Sequence, residues 1–398
     1  MAAASGVMTS PDSSPSGLSD RGWRRREFLQ AGSLAALGLG GEASAQIRSD
    51  VNVIMLFLVG GPSQLDTWDM KPDAPSQVRG PFRPIKTNVP GIEISEIFPR
   101  MARQADKWSL LRTLHYDGPA VHDVGHQLMQ TGRAFGSGPS QPFMGSALSH
   151  FTGGTSVVLP HPIGNTGGNM PHGQDAGYLD TRHNPLMLRL DEPCSDGEPC
   201  IARAMDLTQE REDVRRRYGL DRFGQSCLAA RRLVQEGVRF VTVNMFETVF
   251  DQLSWDIHGS GPFSPINCYR DLCGPRFDNG FTSLVEDLSA TGEHDNTLIV
   301  ATGECGRTPR INPTGGRDHW PQCWSMVMAG GGVVGGRVVG ESDATGSEPR
   351  DRPISPSAVT ATIYCALGID GKTKLPGAAG DTLPLVEAGA EPIHELFA

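Results

Sequence analysis

The sequence has no pair of cysteines at CxxC spacing among its eight, so a structural zinc knuckle is excluded. Positive charge is scarce: 35 Lys and Arg stand against 45 Asp and Glu, for a net charge of −10. No basic run or aromatic–basic stripe offsets that balance, which argues against nucleic acid as a partner. Past the N-terminus no apolar run approaches twenty residues, so no transmembrane span is expected in the mature chain. No internal repeat is visible. What is present is a loop-rich globular composition, with 38% apolar residues, 49 Gly and 30 Pro in 398 residues.

The N-terminus reads as an address. Arg25-Arg26-Glu27-Phe28-Leu29 forms a twin-arginine pattern, "AGSLAALGLGG" supplies a short apolar stretch, and Ala43-Ser44-Ala45 supplies the small residues of a cleavage site. Residues 1–45 are therefore expected to be a twin-arginine export signal handed to the twin-arginine machinery, and 46–398 a single domain beginning near Gln46. Such a protein works in the periplasm or at the cell surface. An oxidising compartment makes Cys194 with Cys200, and Cys268 with Cys273, candidate local disulfides. Cys227 and Cys365 lie in helical patterns and are expected as buried thiols.

Along the mature chain, "VNVIMLFLVGG" (51–61) is a continuous apolar run closed by two glycines, the signature of a strand buried on both faces. Further strands are expected at 238–246, at 297–302, in "SMVMAGGG" (325–332) and at the end of 95–114, whose first part reads as helix. Helices are expected at 122–133, 221–237, 277–292 and 357–368. Residues 134–200 show no clear period and read as long surface excursions. Strands alternating with helices imply an α/β fold, a three-layer α/β/α arrangement on a largely parallel central sheet with long inserted loops.

In such sheets ligands bind beyond the carboxyl ends of the strands. Ser63, Asp66, Thr67 and Asp69 follow the first strand. Asp256 and His258 follow "VRFVTVNMF", and Glu304, Asp318 and His319 follow "TLIVAT". "LHYDGPAVHDVGH" adds His115, His122, Asp123 and His126. Carboxylate with imidazole is the ligand chemistry of Zn²⁺, Mn²⁺ or Fe, whereas carboxylates alone favour Mg²⁺ or Ca²⁺. Arg307, Arg310 and Arg317 near such a cluster suggest an anionic substrate, because guanidinium grips phosphate or sulfate oxygens as a fork. They also have a plainer reading, as partners of local acids that pin the loop.

The stretches "GGPSQLDTWDMKPDAP", "RGPFRPIKTNVPGI", "GVRFVTVNMF", "WDIHG", "GECGRTPRIN", "GRDHWP" and "DRPISPSAVTATIYCALGID" resemble a bacterial family labelled domain of unknown function 1501, from about residue 48 to 370. The resemblance implies an alkaline-phosphatase-like and sulfatase-like fold and export by the twin-arginine route. It also implies a divalent metal centre (Zn, Mn or Ca) acting on phosphate or sulfate esters, small-molecule or glycan. Carried over by motif, the metal ligands are Asp66, Asp256, His258, Glu304, Asp318 and His319. The hydroxyls nearest the nucleophile position are Ser63 and Thr67, and Arg307, Arg310 and Arg317 would bind substrate. Cys305 stands where the superfamily places a histidine, and no carboxylate follows Gly60-Gly61 directly. A catalytically degenerate protein that binds a glycan or anionic ligand in the cell envelope is therefore the alternative to a hydrolase.

Overall fold

The computed structural model describes residues 50–135, 140–160, 173–192, 199–377 and 380–397. All of these belong to the compact unit Ala45–Ala398. The export-signal reading and Cys194 lie outside the described residues.

The apolar runs form the strands of one eight-stranded sheet. In chain order these are β1 (Asn52–Phe57), β2 (Trp108–Leu114), β3 (Ser156–Leu159), β4 (Leu186–Met187), β5 (Phe240–Asn244), β6 (Thr297–Thr302), β7 (Trp324–Ala329) and β8 (Val338–Val339). Their spatial order is β8-β2-β7-β6-β1-β5-β3-β4. β1 lies parallel to both central neighbours, with Leu56 beside Val243 on one side and Ala301 on the other. β7 runs antiparallel between β2 and β6, so the sheet is largely but not wholly parallel.

The longer helices among the described residues are α1 (His122–Thr131), α2 (Met144–Thr152), α3 (Arg222–Gln235), α4 (Gly274–Thr291) and α5 (Pro356–Ala366). They complete a three-layer α/β/α molecule. β1, β5 and β6 are buried along nearly their whole length, which explains why they read as continuous apolar runs without alternation. Each fully buried aliphatic side chain there contributes about 1.5–3 kcal/mol.

Several expectations need correction. Residues 134–200 are not only loop: α2, the strand β3 and the edge strand β4 are drawn from them. The two strands are short, and period cannot be read from two to four residues. The helix expected ahead of β2 is a 3₁₀ segment, Met101–Lys107, kinked at Gln104. Cys268 and Cys273 are not bonded. They are buried free thiols with sulfurs 4.0 Å apart across the π-helical turn Tyr269–Cys273, about twice a disulfide bond length. Cys227 is a buried free thiol as expected, while Cys365 is only half-buried.

No helix among the described residues is long and apolar enough to cross a membrane.

Candidate metal centre

Because β1, β5 and β6 are parallel neighbours, their carboxyl ends open on the same edge, and the polar groups gather there. The chain leaving β1 is squeezed between the segments that follow the other two strands. Gly60 adopts φ +107°, and a Cβ at this position would meet the backbone nitrogen of Asp256 at 2.6 Å. Only glycine fits both the conformation and the space. The Gly60 N–H in turn donates to Glu304 Oε1 at 2.8 Å, tying β1 to the residue that follows β6.

The first cluster is built on Asp256. Its Oδ1 lies 3.0 Å from His258 Nε2 and 3.4 Å from His319 Nε2, and the two imidazole nitrogens are 3.1 Å apart. The other nitrogen of each ring is already engaged. His258 Nδ1 meets Asp318 Oδ1 at 2.8 Å, and His319 Nδ1 meets the Ala120 carbonyl at 2.9 Å. A carbonyl and a carboxylate only accept, so each Nδ1 carries the proton and each neutral ring turns an Nε2 lone pair inward. Two lone pairs and a carboxylate oxygen facing one another require a proton or a cation between them. A proton on His319 is disfavoured, since burial and then the Arg307 charge bring its pKa down to about 4.

The second cluster is deeper. His122 Nδ1 lies 2.6 Å from Glu304 Oε1, and His126 Nε2 lies 3.4 Å from the same oxygen. His122 Nε2 reaches Asp256 Oδ2 at 3.3 Å and so links the two clusters. Glu304 Oε2 is buried with no hydrogen-bond partner among the described residues. Burial opposes charge on His122, yet its bonds to Asp256 and Glu304 outweigh this and raise its pKa to about 9. Burial would also push up both carboxyls. Arg307 and three histidines hold Asp256 far below the usual carboxylate range, and His126 and His122 do the same for Glu304.

In the sets His122–Asp256–His319 and His122–His126–Glu304, the donor atoms lie within 4.8 Å of one another. Imidazole and carboxylate donors with an unmet buried oxygen fit a divalent cation. Their nitrogen content suits Zn²⁺ or Mn²⁺ better than Ca²⁺.

His122 and His126 were visible in sequence only as nearby histidines. Their signal was the spacing in "HDVGH": four residues apart on a helix puts both on one face. Gly125, between them, makes the approach possible. A Cβ there would sit 2.3 Å from the Glu304 carbonyl oxygen.

The structure places the remaining candidates as follows. Asp256, His258, Glu304 and His319 come together, with Asp318 orienting His258. Asp66 does not join them: it is buried against the Arg317 guanidinium, Oδ2 to Nε 2.7 Å. Asp69 is held by Lys71 at 3.0 Å and Arg112 at 3.5 Å. Ser63 Oγ donates to Asp66 Oδ2 at 2.5 Å and Thr67 Oγ1 to the Ser63 carbonyl at 2.6 Å, so both hydroxyls turn inward rather than toward the clusters. Arg307 is fully buried, 2.6 Å from Asp256 Oδ1 and bonded to the Gly60 and Gly61 carbonyls. Arg307 and Arg317 are thus spent on the protein itself, and Arg310 alone of the three is exposed. Burial pushes the Cys305 thiol up to about 12, so it stays neutral and belongs to neither donor set.

A three-layer α/β sheet with an imidazole–carboxylate cluster at its carboxyl edge is the class of protein that fold and site define. The chain belongs to the family described as "Protein of unknown function (DUF1501)", whose model matches residues 50–199 and 195–397. Among solved structures it is similar to the lipoteichoic acid synthase LtaP from Listeria monocytogenes, at 8% identity over 90% of this chain and 80% of that one, TM-score 0.44. It is similar to the PsFucS1 sulfatase from Pseudoalteromonas sp., at 13% identity over 87% and 72%, TM-score 0.41. It is also similar to a protein in the alkaline phosphatase superfamily from Vibrio parahaemolyticus, at 10% identity over 88% and 77%, TM-score 0.42. No curated protein matches the chain by sequence.

Proposed function

We propose that this protein is an exported, metal-dependent hydrolase of phosphate or sulfate esters. The observation that carries the reading is the pair of inward-facing Nε2 atoms of His258 and His319, 3.1 Å apart and both beside Asp256 Oδ1. Asp256, His258 and His319 would hold the ion, with Glu304, His122 and His126 supplying further donors beneath it. A bound divalent cation supplies Lewis acidity and a clamp for developing negative charge. Asp318 and the Ala120 carbonyl fix the tautomers of His258 and His319. Arg307 keeps Asp256 ionised. Water is the nucleophile this reading requires, because Ser63 and Thr67 face inward and no other hydroxyl bonds a cluster carboxylate among the described residues.

That same lack of a hydroxyl favours the second reading, a catalytically degenerate protein that binds an anionic ligand in the cell envelope. The two separate experimentally. Protein purified without chelator should carry stoichiometric Zn or Mn by elemental analysis and should hydrolyse 4-nitrophenyl phosphate or sulfate. His258→Ala should lose both metal and turnover while staying folded. Metal-free wild-type protein with no turnover on either ester would leave only the binding reading.

A further inference from the structure

Beside the clusters lies a hollow of about 780 Å³, walled by Pro309, Ile311, Pro313 and Trp320, with Arg310 and Asp318 as its charged groups. Its frame is fixed. Thr308 N donates to the Asp318 carbonyl at 2.9 Å and Asn312 N to that of Gly316 at 2.8 Å. The buried Arg317 donates to the Thr308 carbonyl at 3.1 Å and to that of Pro309. The Trp320 indole N–H is anchored on the Ser347 carbonyl at 2.7 Å, so the ring stands as a set wall. These bonds hold the walls of the hollow, which is broadly open to solvent.

The hollow and the metal cluster share a residue. Asp318 lines the hollow and holds His258 Nδ1 at 2.8 Å, so the hollow adjoins the cluster. Arg310 is exposed and has no acidic partner among the described residues, unlike Arg307 and Arg317. The lining therefore offers an apolar face with a flat indole, a carboxylate on the cluster side whose Oδ1 already accepts from His258 Nδ1 and Asn312 Nδ2, and an uncommitted cation. A lipid chain would leave both charges unused. An uncharged ring would leave Arg310 unused. We propose that the hollow binds the organic half of the substrate, and that this half is a pyranose carrying a second negative group. Its C–H face would lie on Trp320, its hydroxyls would donate to Asp318, and its anion would meet Arg310. This rests on the hydrolase reading only for the identity of the reacting bond.

The test is calorimetric titration of the purified protein with a disaccharide of glucuronic acid and N-acetylgalactosamine, and with lactose as the neutral counterpart. Wild type should bind the acidic sugar about tenfold tighter than lactose, the worth of one charge-assisted contact. Arg310→Gln should abolish that preference without weakening lactose. Trp320→Ala should weaken both sugars, and Trp320→Phe, which keeps a ring, should restore much of the loss. Equal binding of the two sugars, failure to bind either, or Arg310→Gln binding like wild type overturns the inference. Hydrolysis is read separately on 4-nitrophenyl phosphate and on 4-nitrophenyl sulfate. Turnover without sugar binding overturns this inference alone, and sugar binding without turnover overturns only the hydrolase reading.

Discussion

Asp66 and Arg317 are both shut off from solvent and meet at 2.7 Å, with Arg317 also donating to the Val78 carbonyl at 2.7 Å. Removing one partner of such a pair strands the other charge in a medium that cannot solvate it. Arg317→Met is therefore expected to cost about 3–5 kcal/mol in urea unfolding. A loss below about 1 kcal/mol would show that solvent reaches the pair. Asp318 calls for a different measurement, because it acts on His258 Nδ1 rather than on the fold. Asp318→Ala, which removes the acceptor, should leave unfolding nearly unchanged and weaken metal affinity about 10- to 100-fold in a chelator competition. Unchanged affinity would mean that His258 needs no orienting acceptor.

At the scale of elements, α1 is the helix to perturb. Gly125 lies mid-helix, where exchange for Ala would ordinarily gain about 1 kcal/mol of helix propensity. Here the added methyl would meet the Glu304 carbonyl at 2.3 Å, and that atom is backbone just past β6 with no freedom to swing aside. Sterics should win. Gly125→Ala is expected to destabilise by about 1–3 kcal/mol and to displace His122 and His126 from Glu304, lowering metal content. A more stable Gly125→Ala protein with full metal would disprove the close approach. The same contact shows why α1 was legible as a helix while its role was not. Spacing places two histidines on one face, but which strand end that face meets is a matter of packing.

For the molecule as a whole, pH dependence should carry the mark of Asp278, which joins α4 to the 3₁₀ segment. Its two carboxylate oxygens accept from Arg100 N at 2.8 Å and Met101 N at 2.7 Å. Burial outweighs these bonds and raises its pKa to about 6. The folded state therefore holds the proton more tightly than the unfolded chain. The stability this contributes is complete below about pH 4 and is lost as pH rises through 6. The advantage of wild type over Asp278→Asn should shrink by about 3 kcal/mol between pH 4 and pH 7 in denaturant titrations. An advantage that stays constant or grows would reverse the sign of the argument.

The sequence by itself determined the α/β class, the central strands and the residues just past them, because a strand buried on both faces must be a continuous apolar run and its flanking polar groups are local in the chain. It put Asp256 and His258 on the segment after β5, and Glu304 and His319 on the segment after β6, for that reason. Only the tertiary structure decided which polar groups share a site. Asp66 has the chemistry and the position of a ligand, yet a guanidinium 251 residues away claims it. Arg307 faces inward to Asp256 rather than outward to solvent. His122 bridges Asp256 and Glu304 from a helix far from either in sequence. Pairings of this kind depend on distances between strand ends, and those are set by sheet order and by how closely a glycine lets one backbone approach another.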